Sequence, residues 1–244
     1  DLRRALEFLP DDEEISDRLQ AHNGLTRPEL SVILAYAKNI TYRELLDSDL
    51  PDDPLLTEDL VRYFPEALQR RYPENIENHR LRREIIATAV TNSMINRTGP
   101  AFVNEMNHRT GMSVSEIARA YTITREVFQL RPMWNAIEAL DNIADSMSQT
   151  VMLQETGRTI NRMTEWFLRN EEHPLDIKRN IETYRPGMEE LKENLGDILG
   201  PVALENLTLR VNRFKQDGVP AELAEAIGRL KELSSACDLV RLAE

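Results

Sequence analysis

The chain has 244 residues, 41% of them hydrophobic, so it can bury a core without disulfides or a structural metal. Its formal net charge of -12 repels phosphate backbones and anionic lipids, which argues against nucleic acid and membranes as partners. A single cysteine, Cys237, excludes an internal disulfide and is expected to be a small buried residue. No apolar run reaches the ~20 residues of a membrane helix, and the opening "DLRRALEFLP" has no secretory pattern, so we expect a cytoplasmic protein.

The hydrophobic pattern is helical along the whole chain. Apolar residues recur at spacings of three and four, and the alternating runs typical of strands are absent. The predicted fold class is therefore all-α, a bundle of about ten helices with no sheet, in which successive helices pack as neighbours. The predicted helices are 2 to 9, 12 to 22, 27 to 46, 57 to 72 with a break at Pro65, 74 to 97, 100 to 109, 114 to 129, 132 to 142, 146 to 170, and a C-terminal series from 176 to 244.

Local patterns place the helix ends. Three pairs have the spacing of a capping box, in which the two side chains each bond the other's backbone N–H: Thr26 with Glu29, Ser113 with Glu116, and Ser146 with Gln149. Six prolines stand where a first helical turn would begin: Pro28, Pro65, Pro73, Pro132, Pro201 and Pro220. Glycines predict the helix stops, at Gly24, Gly99, Gly111, Gly200 and Gly218.

The first segment with candidate chemistry is the acidic connection "DSDLPDDPLLTED", residues 47–59. Four acids match positions 1, 3, 7 and 12 of a calcium-binding loop, namely Asp47, Asp49, Asp53 and Glu58. Position 6 of such loops is a glycine that makes a sharp turn, and here it is Asp52, preceded by Pro51. We therefore interpret the acidic connection as a solvated linker.

The segment "HRLRREIIATAVTNSMINRTGPAFV", residues 79–103, continues from three arginines into a wide apolar band. One row of the predicted helix consists of Leu81, Ile85, Thr88, Asn92 and Ile95. A second apolar row lies beside it, with Ile86, Val90 and Met94. A band this wide predicts an inner seam, buried on more than one side. Asn92 and Asn96 would then lie near packed surface, where their amides need hydrogen-bond partners and could fix how helices pair.

The three arginines at the head of this helix, Arg80, Arg82 and Arg83, lie close to its N-terminal half, where the helix dipole disfavours positive charge. We expect them to pair with carboxylates elsewhere in the chain or in a neighbouring domain. Exposure to solvent and binding of a small anion remain the alternatives.

A metal site is the next possibility. Glu105 and His108 form a Glu-x-x-His pair, a motif that di-iron bundles need twice, together with two further glutamates. The pair occurs once, and no matching acidic spacing surrounds His22, His79 or His173. We therefore predict no metal site.

The helix predicted at 146–170 carries large apolar residues that we place on or near one face: Met147, Val151, Ile160, Met163 and Phe167. Methionines and aromatics at this spacing are typical of core packing rather than of a cofactor site. We therefore predict that this helix is a central strut of the bundle.

Catalytic motifs are missing. The chain contains no Gly-x-Gly-x-x-Gly, Gly-x-x-x-x-Gly-Lys or Gly-x-Ser-x-Gly, and no histidine has an evident nucleophile and orienting acid nearby. We therefore assign no catalytic, cofactor-binding or metal-binding residue.

Several long phrases resemble a known family. They begin with "GLTRPELSVILAYAK" at residues 24–38 and continue with "LLDSDLPDDP", "RYFPEAL", "HRLRREIIATAVTNSMINRTGPAFV", "EIARAYTITREVF", "WNAIEALDN" and "WFLRN". Their order and wording resemble the C-terminal helical region of the large bacterial NAD-dependent glutamate dehydrogenases. The resemblance is densest from residue 24 to 169.

The resemblance implies a parent enzyme that oxidises glutamate to 2-oxoglutarate and ammonia with NAD. Its dinucleotide fold and catalytic lysine would lie upstream, so this chain is expected to be an inactive accessory fragment that binds no cofactor itself. We expect one domain, 1–244, or two packed halves, about 1–170 and 171–244. The resemblance implies the catalytic domain of the same chain as partner, and a homo-oligomeric parent.

Two other functions stay open at this point. The chain could be a self-standing helical enzyme or metal-binding bundle that uses Glu105 and His108. It could also be a ligand-binding regulatory module, in which Arg80, Arg82, Arg83 or Arg97 receives a carboxylate metabolite.

Overall fold

The computed structural model describes residues 2–235 and 237–243, and within these ranges the chain forms helices and turns but no strand. The all-α prediction is confirmed. The described part has fifteen α-helices rather than about ten, because turns divide several predicted helices. They are α1 Leu2–Leu6, α2 Asp12–Gln20, α3 Arg27–Leu46, α4 Thr57–Arg62, α5 Glu66–Arg71, α6 Pro73–Glu77, α7 Arg82–Thr98, α8 Phe102–Thr110, α9 Val114–Val127, α10 Leu130–Glu138, α11 Ser146–Asn170, α12 Ile177–Ile198, α13 Pro201–Gln216, α14 Ala221–Leu233 and α15 Cys237–Ala243, with 3-10 turns at Leu50–Asp52 and Pro54–Leu56.

Local hydrogen bonds explain why the helix predicted at 74–97 becomes α6 and α7. The side-chain amide of Asn78 donates to the Glu74 carbonyl at 2.9 Å, and Nδ1 of His79 accepts the Leu81 N–H at 3.1 Å. Side-chain bonds of this kind compete with the helical ladder, so α6 ends before Asn78. Helices α3 and α11, in contrast, begin and end at the predicted residues.

The predicted capping boxes form to different degrees. The box of Thr26 and Glu29 forms, and Glu29 accepts the Thr26 N–H at 2.6 Å. At Ser113 the hydroxyl accepts a backbone N–H of the first turn, but the glutamate three residues later bonds elsewhere. The third prediction is wrong by one residue, because Asp145 caps α11 in place of Ser146; its carboxylate takes the backbone N–H that would otherwise lack a partner.

Glycine marks helix ends where the backbone turns left-handed. Gly99 follows α7 with φ 93°, Gly111 follows α8 with φ 74°, and Gly218 lies just beyond α13 with φ 87°. Only glycine adopts these angles without steric cost. Gly200, predicted as a stop, instead caps the start of α13.

Helix α9 lies at the centre of the molecule. Nearly all of its residues are buried, and it packs against α3, α8, α10, α11 and α12. Its principal neighbour is α11, whose Ile160, Met163 and Phe167 are fully buried, as predicted. Met147 is 64% exposed, so its predicted core position is wrong. At 100° per residue, Met147 lies about 140° around the helix from Ile160.

Helix α7 is the predicted seam, and it packs against α3, α4 and α11. Its buried row runs through Ile86, Val90 and Met94. The row that begins at Leu81 is more open, since Leu81 precedes the helix and is 50% exposed, and Ile85 is only partly buried. The seam is therefore buried on one broad face, which leaves the opposite face open to solvent.

The N-terminal arm, residues 2–46, is much less covered than the rest of the chain. Helix α2 has no buried residue, and α3 buries only Thr41 and Leu45, near its C-terminal end, where it packs on α7 and α9. Exposed apolar side chains therefore run along the arm: Leu6, Phe8, Leu19, Leu30 and Ile40.

The C-terminal helices share the core of the first 170 residues. Helix α12 packs on α9, α14 packs on α11, and buried residues from both parts belong to one hydrophobic cluster. None of the described helices combines the length and the apolar character that a membrane span needs.

Candidate functional site

The three arginines at the start of α7 have different surroundings. Arg83 pairs with Asp52 and donates to the carbonyls of Leu46 and Ser48 at 2.8 Å, which confirms the predicted ion pair for this residue. Arg82 instead donates to the Thr57 hydroxyl at 2.9 Å and to a backbone carbonyl. Arg80 is exposed and has no polar partner among the described residues.

The acidic connection is not the solvated linker that we predicted. Its two 3-10 turns bury Leu50 and Leu56, which are 1% and 0% exposed. Its carboxylates face arginines of the core: Arg119 of α9 lies 2.9 Å from Asp49 and 3.6 Å from Asp53. These ion pairs hold the connection against the bundle.

A second and deeper ion network joins α4, α9 and α10. Asp59 accepts from Arg125 at 2.9 and 3.3 Å and from Arg131 at 2.5 Å. Both arginines also bond Glu126, through their Nε atoms at 2.8 and 3.2 Å. Burial alone would raise the pKa of Asp59, but the two guanidinium groups outweigh it and hold the pKa below its ordinary value. Asp59 is therefore a buried, ionised carboxylate.

Directly beside this network lies a polar cleft of about 300 Å³. Helix α7 contributes its open face, α10 forms the opposite wall, and α4 adds one arginine. We call this feature the α7–α10 cleft; its lining residues are Arg62, Asn92, Ser93, Asn96, Arg97, Arg131, Trp134 and Asn135. The Ser93 hydroxyl also bonds the buried Tyr121 hydroxyl at 2.7 Å, so the cleft and α9 are connected.

The two asparagines of α7 do not have the role that we predicted. Asn96 is exposed and Asn92 half-buried, and within the described residues neither side chain has a hydrogen-bond partner. They line the cleft and do not fix how the helices pair. The prediction failed because the open face of α7 is wider than the apolar pattern indicated.

The other predicted residues have structural surroundings. Glu105 is exposed and lies 3.8 Å from Arg109, and His108 is exposed beside it. In the part of the chain that the structure describes, no three metal-binding side chains converge. Cys237 is 1% exposed, which confirms its predicted burial, and burial raises the pKa of its thiol to about 12.

A second depression is apolar and lies along the N-terminal arm. It has a volume of about 480 Å³ and opens between α3, α8 and the start of α9. Its apolar lining includes Leu9, Ile33, Ile40 and Val103. We call this feature the arm groove.

With both features described, the comparison with known proteins is decisive. The sequence family described as "Glutamate dehydrogenase, C-terminal" matches residues 22–244. The chain belongs to this family. It is therefore a C-terminal region of the glutamate dehydrogenase type, as the phrases in its sequence indicated.

Three relatives show how much of a longer protein this C-terminal region represents. The chain is similar to the NAD-specific glutamate dehydrogenases of Halomonas elongata (39% identical over 240 residues), Pseudomonas aeruginosa (36% over 243) and Mycobacterium tuberculosis (30% over 223). These matches cover 98%, 100% and 91% of the chain. They cover only 15%, 15% and 14% of the relatives, so the chain spans about 15% of their length.

The residues that sequence reasoning missed are Asp59, Arg125 and Arg131. A signal for them exists in α9, where Arg119 and Arg125 interrupt a segment that is otherwise apolar or small. Charged residues within a helix that is buried all round require charged partners. An acid-rich connection elsewhere in the sequence could have been matched to them.

Proposed function

We propose that the chain is one non-catalytic helical domain, residues 1–244, of an NAD-dependent glutamate dehydrogenase. The parent enzyme would oxidise L-glutamate to 2-oxoglutarate and ammonia, with NAD as the hydride acceptor. The domain would support the assembly of the catalytic part. The observation that supports this role is the exposed apolar surface of the N-terminal arm, in a chain whose remaining helices bury a common hydrophobic core.

The chemistry of the parent reaction explains why catalysis is assigned elsewhere. Hydride transfer needs a nicotinamide held against the α-carbon of glutamate, and dinucleotides bind with their pyrophosphate at a glycine-rich turn between a strand and a helix. The sequence has no such glycine motif, and the described residues include no strand. The relatives' remaining length, about 85% by the matched shares, offers room for that machinery.

The arm groove supports contact with another part of the parent. Ile40, which is 49% exposed, lines this mainly apolar depression, and Leu6 and Phe8, 68% and 89% exposed, belong to the same short segment as its lining residues Arg4 and Leu9. Contiguous apolar surface on a soluble domain marks a contact surface, since exposure to water is unfavourable. We assign the catalytic part of the same parent chain as the occupant, because the relatives carry this region as one piece of a much longer chain.

Substitution in the parent enzyme tests this role. Ile40→Asp places a charge in the arm groove, and we expect loss of assembled enzyme on size-exclusion chromatography with light scattering, accompanied by loss of NADH formation. The matched control is Leu209→Asp on α13, a side chain that is 61% exposed and lies outside the groove. Full assembly and activity in Ile40→Asp, or equal losses in both variants, would contradict the assigned surface.

A further inference from the structure

The α7–α10 cleft presents many hydrogen-bond donors that the protein itself does not use. The side-chain amides of Asn92, Asn96 and Asn135 have no partner among the described residues. Arg97 uses only one terminal nitrogen, in its bond to Glu138 at 2.6 Å, and Arg131 keeps Nη1 unbonded within the same described set. The cleft is therefore suited to a molecule rich in acceptor oxygens.

The arginines of the cleft are held in place before any ligand arrives. The guanidinium of Arg97 lies over the Trp134 ring, 4.7 Å from its centroid, and the indole N–H of Trp134 donates to Thr156 at 3.1 Å. Arg131 is fixed by the buried Asp59 and by Glu126. Groups that are already ordered lose little conformational entropy when they bind a ligand.

The charge around the cleft favours one chemical class. Three arginines line it, but each is paired with an acid: Arg62 with Glu58, Arg97 with Glu138, and Arg131 with Asp59 and Glu126. A nearly balanced site offers donors without a large excess of positive charge, which suits a singly charged planar carboxylate better than a phosphate dianion. The volume of about 300 Å³ limits the ligand to a small molecule.

We propose that the α7–α10 cleft is a binding site for a small organic molecule with a carboxylate group, in the size range of an amino acid or a short organic acid. The guanidinium groups of Arg97 and Arg131 bind the carboxylate. The side-chain amides of Asn92, Asn96 and Asn135 form hydrogen bonds with the remaining polar groups of the ligand. This site does not depend on the proposed role in a dehydrogenase, because its contacts lie entirely within the chain.

A thermal-shift screen of the purified chain tests the proposal. The probes are the twenty amino acids, acetate, succinate, inorganic phosphate and sulfate, each at millimolar concentration and matched pH, with calorimetric titration of every probe that raises Tm. We expect at least one carboxylate to raise Tm by binding the folded state. Its amide analogue, which lacks the negative charge, should bind about tenfold more weakly or worse.

Two variants assign the binding to the cleft. Arg97→Gln removes a guanidinium, and Asn96→Asp adds a negative charge at an exposed position where it disturbs folding little; each should raise the Kd of the bound carboxylate about tenfold or more. Arg80→Gln, an exposed arginine outside the cleft, should leave that Kd unchanged. The proposal is overturned if no carboxylate shifts Tm, or if phosphate or sulfate binds more tightly than every carboxylate. It is also overturned if the Kd of the bound carboxylate is the same in Asn96→Asp and in the unsubstituted chain.

Discussion

Helix α9 and the N-terminal arm show opposite relations between sequence and burial. Helix α9 carries two arginines and is nevertheless buried nearly throughout, whereas α2 has no buried residue and α3 fully buries only Thr41 and Leu45. The difference lies in partners: the charges of α9 meet acids from the acidic connection and from α4, whereas the arm buries only the C-terminal part of α3, against α7 and α9. Burial in this chain is therefore decided by complementary surfaces elsewhere and not by the hydrophobicity of a helix alone.

Removal of the buried carboxylate beneath the cleft should have the largest effect on stability. Asp59→Ala leaves Arg125, which is 2% exposed, without its bidentate partner, and we expect a loss of about 3 to 5 kcal/mol in the free energy of unfolding. Chemical denaturation monitored by circular dichroism measures it. The neighbouring control, Glu58→Ala, removes an exposed partner and should cost less than about 1 kcal/mol. Equal losses would show that the network is hydrated rather than buried.

The core and the entry of α7 give the next largest difference. Ile95→Ala should cost about 2 to 5 kcal/mol, because the side chain is 1% exposed and its removal leaves a cavity. Leu81→Ala should cost less than about 1 kcal/mol, because Leu81 precedes the helix and is half exposed. The same unfolding measurement applies. Similar losses at both positions would mean that the entry of α7 is enclosed as closely as its core.

The sequence predicted the broad fold well and the individual surroundings of residues less well. The bounds of α3 and α11 were predicted correctly, because helical spacing is a local property that one segment determines by itself, although the cap of α11 is Asp145 and not Ser146. The individual partners of Arg83, Arg119 and Arg125 were not predicted, because they lie on distant segments and their pairing depends on the packing of the whole chain. The α7–α10 cleft was missed for the same reason, since it forms only when α7, α10 and α4 come together.

A smaller effect, dependent on pH, is expected where α9 meets the start of α12. His173 Nδ1 lies 2.6 Å from Glu116, and Nε2 lies 2.9 Å from the Leu168 carbonyl. Burial lowers the pKa of His173, but the bonds to Glu116 and Leu168 outweigh it and raise the pKa above the ordinary 6.5. The stabilisation is then fully present below pH 6.5 and is lost as the pH rises through the folded-state pKa.

Comparison with His173→Gln isolates this contribution. The unsubstituted chain should exceed His173→Gln in free energy of unfolding by more at pH 5.5 than at pH 9. Urea denaturation of both proteins at the two pH values measures this difference. His79→Gln serves as the control, since that ring accepts the Leu81 N–H and pairs with no carboxylate in the described part of the chain. A difference that grows with pH would contradict the assigned ion pair.

The smallest effect on stability is expected in the N-terminal arm. Phe8→Asp should change the free energy of unfolding of the chain by less than about 0.5 kcal/mol, because the side chain is 89% exposed and loses little packing. Thermal denaturation checks this value. A large loss of stability would show that the arm is part of the closed core, and the contrast with α9 would then disappear.

The central claim, that this domain contains no dehydrogenase chemistry, is tested most directly by calorimetric titration of the purified 244-residue chain with NAD, alongside an absorbance assay for NADH in the presence of glutamate and NAD. We expect a folded, strongly helical protein that gives no specific heat of NAD binding and forms no NADH. Micromolar NAD binding, or measurable glutamate-dependent NADH formation by the pure chain, would contradict it.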